Sequence, residues 1–352
     1  MKKLFALFLA GCLLMLAACG GSTASSAAPA SSAAPASSAA PAESKPEEKP
    51  AWKPTKPFEI CIPYSAGGGS SIVSQTYAQI INEEGYCDTR MDYVNKPGGG
   101  TAIGLAYVAA KRGNPYYLLA YAPSIVSTPL QSYSGVDYHD LTPIVVFGQE
   151  TFCLAVSADS PFQTFDEMVE YAKAHPGELT SCGTSVGSSN HIFMLKCQDT
   201  AGFETTYVPL DGSGEAATQV LGGHMDIAVQ KISDVVNFVE AGQMRILCVG
   251  DAIRNRALPD VPTLQELGYD VNFGMPRAVC APADIDPAAA EYLAGVFKKL
   301  CESERWKNEY VEKNGFGANP LYLEDAQAFI DQEYETYKTY LTDLGLVDPA
   351  SV

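Results

Sequence analysis

Short apolar runs alternate with longer amphipathic stretches along most of this chain. FEICIPY (58–64), YYLLAY (116–121), PIVVFG (143–148), FCLAV (152–156), MDIAVQ (225–230) and RILCVG (245–250) read as buried strands. Residues 71–83 place Ile72, Val73, Tyr77, Ile80 and Ile81 near one helical face, directly after a glycine-rich loop. The same order of strand, small-residue loop and helix returns over 179–196 as LTSC, GTSVGSS and NHIFMLKCQ, with Ser188 or Ser189 able to cap the helix. Residues 321–344 carry Phe329, Tyr334, Tyr337 and Leu341 at helical spacing and are most simply a packing helix. The alternation predicts an α/β class. A body of about 300 residues exceeds one comfortable hydrophobic core, so two α/β domains flanking a cleft are expected, each giving one loop.

The first fifty residues follow different rules. Lys2 and Lys3 precede an apolar run over 4–16 and a small-residue stretch ending Leu16-Ala17-Ala18-Cys19, which reads as a secretory signal and resembles a bacterial lipoprotein signal with its lipobox. Cutting before Cys19 gives a signal over 1–18 and leaves Cys19 as the acylated anchor. The apolar run is shorter than the roughly 20 residues a spanning helix needs. Residues 19–51 are dominated by Ser, Ala, Pro, Glu and Lys, with SSAAPA repeated at 25–30, 31–36 and 37–42. Such a segment has little to bury against its ordering entropy and reads as a tether spanning roughly 30 Å.

Charge removes whole classes of partner. The formal net charge is −18, and loss of Lys2 and Lys3 takes it to −20. Nucleic acid and anionic membrane surfaces are repelled, so a small anion must be caught by local backbone N–H groups or by one well-placed cation. Of the ten cysteines, eight remain once Cys12 and Cys19 are assigned to signal and anchor. Cys61, Cys153, Cys248 and Cys280 lie in strand-like runs and are expected as buried thiols, while a Cys182–Cys197 bridge stays open on spacing alone. There is no C-x-x-C pair and His139, His175, His191 and His224 show no zinc spacing, so neither metal nor cofactor is expected.

The loops carry the chemistry. Tyr64-Ser65-Ala66-Gly67-Gly68-Gly69-Ser70-Ser71 ends a strand and opens a helix, where unfilled amides and the positive end of the helix dipole suit a carboxylate or phosphate. It has neither the Walker lysine nor a G-x-G-x-x-G pattern, which weakens a nucleotide reading. A second glycine loop runs over 95–101 and contributes Gly100 and Thr101 before an Ala-rich helix at 102–111. Ala122 and Ser124, in Tyr121-Ala122-Pro123-Ser124, follow a strand and fall where ligands of α/β sheets bind. Gly183-Thr184-Ser185-Val186-Gly187 matches a nucleophile elbow, which makes a serine hydrolase using Ser185 the enzyme alternative. The downstream histidines fit that reading poorly: His191 leaves the elbow itself and His224 sits in a small-residue turn. Thr184, Ser185, Ser188 and Ser189 read better as hydroxyl donors of a second anion cradle.

Taken in order, AWKPTKPFEICIPYSAGGG, VNKPGGG, DLTPI, CGTSVGSSNH, LGGHMDIAV and PDVPTLQELGY resemble the substrate-binding proteins of tripartite tricarboxylate transporters, the TctC/Bug family. The resemblance runs from about residue 51 to the C-terminus. It implies an α/β, two-lobed periplasmic-binding-protein-like fold of type II with the ligand cleft between lobes, the first lobe over 52–152 and 276–352 and the second over 153–275. It implies no chemical step, but a monomeric extracytoplasmic receptor, membrane-anchored through Cys19, that hands a small carboxylate or amino-acid solute to permease subunits. A receptor that only senses its solute is a further alternative. Carried over by position, the loop 64–71 and the loop holding Gly183, Thr184, Ser185, Gly187, Ser188 and His191 face each other across the solute. Arg277 in Gly274-Met275-Pro276-Arg277 offers a bidentate carboxylate contact, with a surface arginine as the alternative. The sequence departs from the family pattern at Ser71, where an acid is usual, and at Gln75, where an arginine is usual. Where many members have Pro-Tyr-Lys-Gly it has Pro209-Leu210-Asp211-Gly212, an acid in place of a cation. Asp211 then either faces solvent or receives a ligand amine, which disfavours a tricarboxylate.

Overall fold

A computed structural model describes residues 52–210, 213–256 and 258–351. The signal, the tether with Cys19, and Asp211 and Gly212 therefore lie outside the described residues.

The chain begins with β1 (Phe58–Ile62), α1 (Gly69–Glu84), β2 (Met91–Asn95), α2 (Ala102–Ala109), β3 (Tyr117–Tyr121), α3 (Ser124–Gln131) and the long β4 (Leu141–Ser157). It continues through α4 (Phe165–Ala174), β5 (Thr180–Gly183), α5 (Ser189–Ala201), β6 (Thr206–Pro209), α6 (Ser213–Leu221), β7 (Ile227–Lys231), α7 (Ile232–Glu240) and β8 (Met244–Val249). It closes with β9 (Gly274–Pro282), α8 (Pro287–Glu302), α9 (Glu304–Trp306), a π-helical turn Lys307–Glu312, β10 (Phe316–Tyr322) and α10 (Leu323–Asp343).

The strands run in the order β2-β1-β3-β9-β4-β7-β5-β6, with β8 and β10 also pairing with β4. β1 pairs in parallel with β2 and β3, and β5 in parallel with β6 and β7, each through a helical crossover. β4 joins the two sets. Residues 141–151 pair antiparallel with β9, whereas residues 152–157 pair with β7 and β8. Its largely apolar sequence follows from this position, because a strand buried on both faces has no solvent side on which to place polar residues; only its second and last residues are not buried, and buried Gln149, Glu150 and Thr151 are the polar exceptions.

Helix boundaries follow local chemistry. α1 turns Val73, Tyr77, Ile80 and Ile81 into the core and ends at Gly85, whose φ of 66° lets its N–H reach the Ile81 carbonyl. It starts two residues before the expected position, so Gly69 and Ser70 belong to its first turn and not to the loop. α4 opens on a reciprocal capping box between Thr164 and Glu167. Cys182 and Cys197 are both free thiols packed into different apolar clusters, so the bridge left open by their spacing is not formed. Cys61, Cys153, Cys248 and Cys280 are buried.

Candidate functional site

Three helices start on the wall of one cavity of about 450 Å³, at the C-terminal ends of the strands that precede them. α1 contributes Gly69 and Ser70, α3 contributes Ser124 and Ser127, and α5 contributes Ser189 with its cap Ser188. The first amides of each helix have no carbonyl behind them and carry the positive end of the dipole, so the three starts together favour an anion. Lys231, the residue before α7, also reaches this wall. A larger cavity of about 520 Å³ lies elsewhere, where apolar Phe147, Trp306 and Phe316 stand beside charged Arg254, Lys307 and Glu312, and among the described residues no α-helix of eight residues or more begins there.

Behind the start of α1 sits a buried ion cluster. Arg277 on β9 is 4% exposed and donates from Nε (2.9 Å) and Nη2 (2.6 Å) to Glu150 Oε1 on β4. Its Nη1 donates to Ser70 Oγ at 2.7 Å. The other Glu150 oxygen lies 3.0 Å from Lys231 Nζ, which is also 3.7 Å from Asp234 Oδ1. Burial pushes the Glu150 carboxyl up, but Arg277 and Lys231 together outweigh it and hold the group below the usual range. Burial also pushes Asp234 up, against the pull of Lys231. Two cations and two acids thus cancel in formal charge, leaving the helix starts as the net attraction for an anion.

The loop over 183–189 is organised internally. Thr184 Oγ1 donates to Asn190 Oδ1 (2.8 Å), Tyr207 Oη donates to the Thr184 carbonyl (2.7 Å), and Gly187 N–H donates to His191 Nδ1 (3.2 Å). Ser189 Oγ is 2.6 Å from Tyr337 Oη. His191 is buried against the ring of Tyr207 at 4.2 Å, and burial pushes its pKa down, so it is neutral at physiological pH. Its Nδ1 is already occupied, and no hydrogen bond among the described residues joins Ser185 to a histidine. The nucleophile-elbow reading thereby loses its base.

Of the residues expected at a site, Tyr64, Gly69, Ser70, Ala122, Ser124, Ser185, Gly187, Ser188 and Arg277 share the cavity wall. Ser65, Ala66, Gly67 and Gly68 are exposed beside it and do not line it. Ser71 is turned into the core, where its Oγ accepts from Gln75 Nε2 (3.0 Å) and Asn95 Nδ2 (3.1 Å). Serine and glutamine there make a neutral contact in place of an acid and an arginine. Thr101 and Gly100 stand one layer back: Thr101 Oγ1 donates to the Ser124 carbonyl (3.2 Å) and Thr128 Oγ1 to the Gly100 carbonyl (2.7 Å). Gly183, Thr184 and His191 likewise support the second loop from behind. Lys231, Gln131, Ser127 and Met275 line the cavity without having been expected. Only Lys231 carried a signal, as a cation ending a strand just before a helix.

A mixed α/β fold with helix starts gathered at strand ends resembles the architecture of periplasmic-binding-protein-like receptors. The model of the Tripartite tricarboxylate transporter family receptor matches residues 92–346, and the chain belongs to that family. It is therefore a solute receptor and not an enzyme. It is 28% identical over 304 residues to the UPF0065 protein in the gbd 5′ region of Cupriavidus necator, covering 83% of this chain and 89% of that one. A TctC solute binding protein from Polaromonas, solved with no ligand, superposes with a TM-score of 0.76 at 23% identity, covering 82% of this chain and 99% of the other. R. palustris Rpa4515 with adipate superposes with a TM-score of 0.65 at 23% identity, covering 84% and 99%.

Proposed function

We propose that this extracytoplasmic receptor holds a small carboxylate-bearing solute between the start of α1 and the loop 183–189, and delivers it to a tripartite tricarboxylate-type permease. The observation that carries the reading is the convergence of the α1, α3 and α5 starts on one cavity backed by buried Arg277. Its volume of about 450 Å³ suits a small molecule. The adipate in the R. palustris relative supports a carboxylate ligand.

The neutral ion cluster favours a mono- or dicarboxylate, or a zwitterion, over a tricarboxylate, because only helix dipoles and hydroxyls remain to offset ligand charge. In this reading residues 52–152 with 276–352 make one lobe and residues 153–275 the other, a division supported by the change of partners along β4. Ligand that touches both loops favours closure only by what it gains in touching both. Cys19 carries the lipid, and residues 19–51 tether the body to the membrane.

The test is a thermal-unfolding series with mono-, di- and tricarboxylates, amino acids and aromatic acids. Selective binding to the native state raises the midpoint in a saturable way. A shift with one carboxylate class is expected; a flat response throughout, with ester hydrolysis lost in Ser185→Ala, contradicts the receptor reading.

A further inference from the structure

Behind β9 lies a second polar cavity, of about 140 Å³, lined by Glu333 of α10, Lys196 of α5, Gln149 of β4 and Asn272. Gly274 and Pro276 of β9 face it, while the alternating Met275 and Arg277 face the ligand cavity, so the two cavities lie on opposite faces of one strand. Glu333 is 7% exposed. One of its oxygens accepts from Tyr121 Oη at 2.5 Å, and the other, Oε1, has no hydrogen-bond partner among the described residues. A buried carboxylate with an unpartnered oxygen is costly when ionised and much less so when protonated.

The links to the cleft are short. Tyr121 ends β3 immediately before Ala122 and Ser124 on the ligand wall. Tyr337, one turn beyond Glu333, holds Ser189 on the same wall. Tyr64, also on the wall, has its phenol pushed up chiefly by burial, and the Glu333 charge adds to that.

We propose that Glu333 is a proton-binding site coupled to the cleft, so that binding of a carboxylate solute draws part of a proton from water onto the Glu333 carboxyl over the pH range where that carboxyl titrates. This rests on the carboxylate reading above. Two anions on opposite faces of β9 repel through a poorly screened interior, and adding the proton to Oε1 removes one of them. The coupling is reciprocal: bound anion favours protonated Glu333, and protonated Glu333 favours bound anion. The cavity has room for about four waters to carry the proton.

The titratable groups facing Glu333 are Tyr121 from β3, Cys280 from β9, Tyr64 from the loop before α1, Lys196 from α5, and Tyr337 on α10 itself. Burial pushes Glu333 up to about 8, with the Tyr121 hydrogen bond pulling the other way. Burial raises the three tyrosines and Cys280, which keep their protons around that pH, and holds His191 neutral. Burial lowers Lys196, and a Glu333 variant separates its titration from that of the glutamate.

The experiment is calorimetric titration of the full chain with adipate, or with the member of the carboxylate panel that shifts the midpoint should adipate not do so. In the wild type, affinity is expected to fall about fivefold between about pH 7 and about pH 9. Near pH 8 the binding heat should change with the ionisation enthalpy of the buffer, reporting proton uptake. Glu333→Gln keeps the Tyr121 hydrogen bond without the charge and should abolish both effects. The wild-type proton count stands alone if that variant does not fold. Binding without proton uptake, or uptake that persists in Glu333→Gln, overturns the coupling and leaves the receptor reading intact. Absence of binding by every carboxylate at both pH values removes the carboxylate reading and the coupling with it.

Discussion

The two small-residue loops look alike in sequence and differ in what stands behind them. At the start of α1, Gly69 and Ser70 line the cavity and their support is ionic: Arg277, buried, holds Ser70 Oγ and Glu150 together. In the loop 183–189 the support is a neutral lattice through Asn190, Tyr207, His191 and Tyr337. The difference teaches that one strand-loop-helix device can be fixed by charge or by packing. Damage at the first loop should appear mainly in binding and damage at the second mainly in stability, except where the ion pair itself is broken.

Breaking that pair gives the largest expected effect. Arg277→Ala leaves Glu150 buried with Lys231 as its remaining ionic partner, and should cost about 3–5 kcal/mol of stability in urea unfolding together with carboxylate binding. Full stability in this variant would mean that the cluster relaxes into water. A methyl at Gly183 comes next, since its Cβ would lie 2.6 Å from Tyr207 Oη and 2.9 Å from Asn190 Cβ. Gly183→Ala should lose about 1–3 kcal/mol. The smallest effect belongs to Gly69→Ala, whose Cβ would sit 3.5 Å from Arg277 Nη2, an ordinary contact. Its stability should stay within about 0.5 kcal/mol of wild type while carboxylate affinity falls severalfold. If Gly69→Ala unfolds the protein and Gly183→Ala only weakens binding, the contrast between the loops is reversed.

Much of this was readable from residues alone because it rests on local chemistry. Alternating apolar runs gave the strands, and the glycine and serine clusters gave the helix starts, since those residues leave amides open. Arg277 was readable as a cation inside an apolar strand. What escaped depends on pairing between distant segments. Lys231 reads as the polar end of a strand, and Glu150 as a stray acid in a long apolar run. They meet because β7 lies beside β4 with Phe152 opposite Lys231. Thr101 and His191 were legible as polar groups near loops, but whether such a group faces the ligand or braces the wall is decided by the rotation of its helix against the sheet. Glu333 gave no sign in a helix rich in acids, and its burial comes from packing against the sheet near Tyr121.

The most direct test of the central claim is a crystal structure of the chain with a carboxylate that stabilises it. The account predicts a carboxylate oxygen within about 3 Å of the Gly69 or Ser70 amide, and a second ligand contact to Ser185 or Ser188. Ligand held by one loop alone, or lodged in the larger cavity beside Trp306, would contradict it.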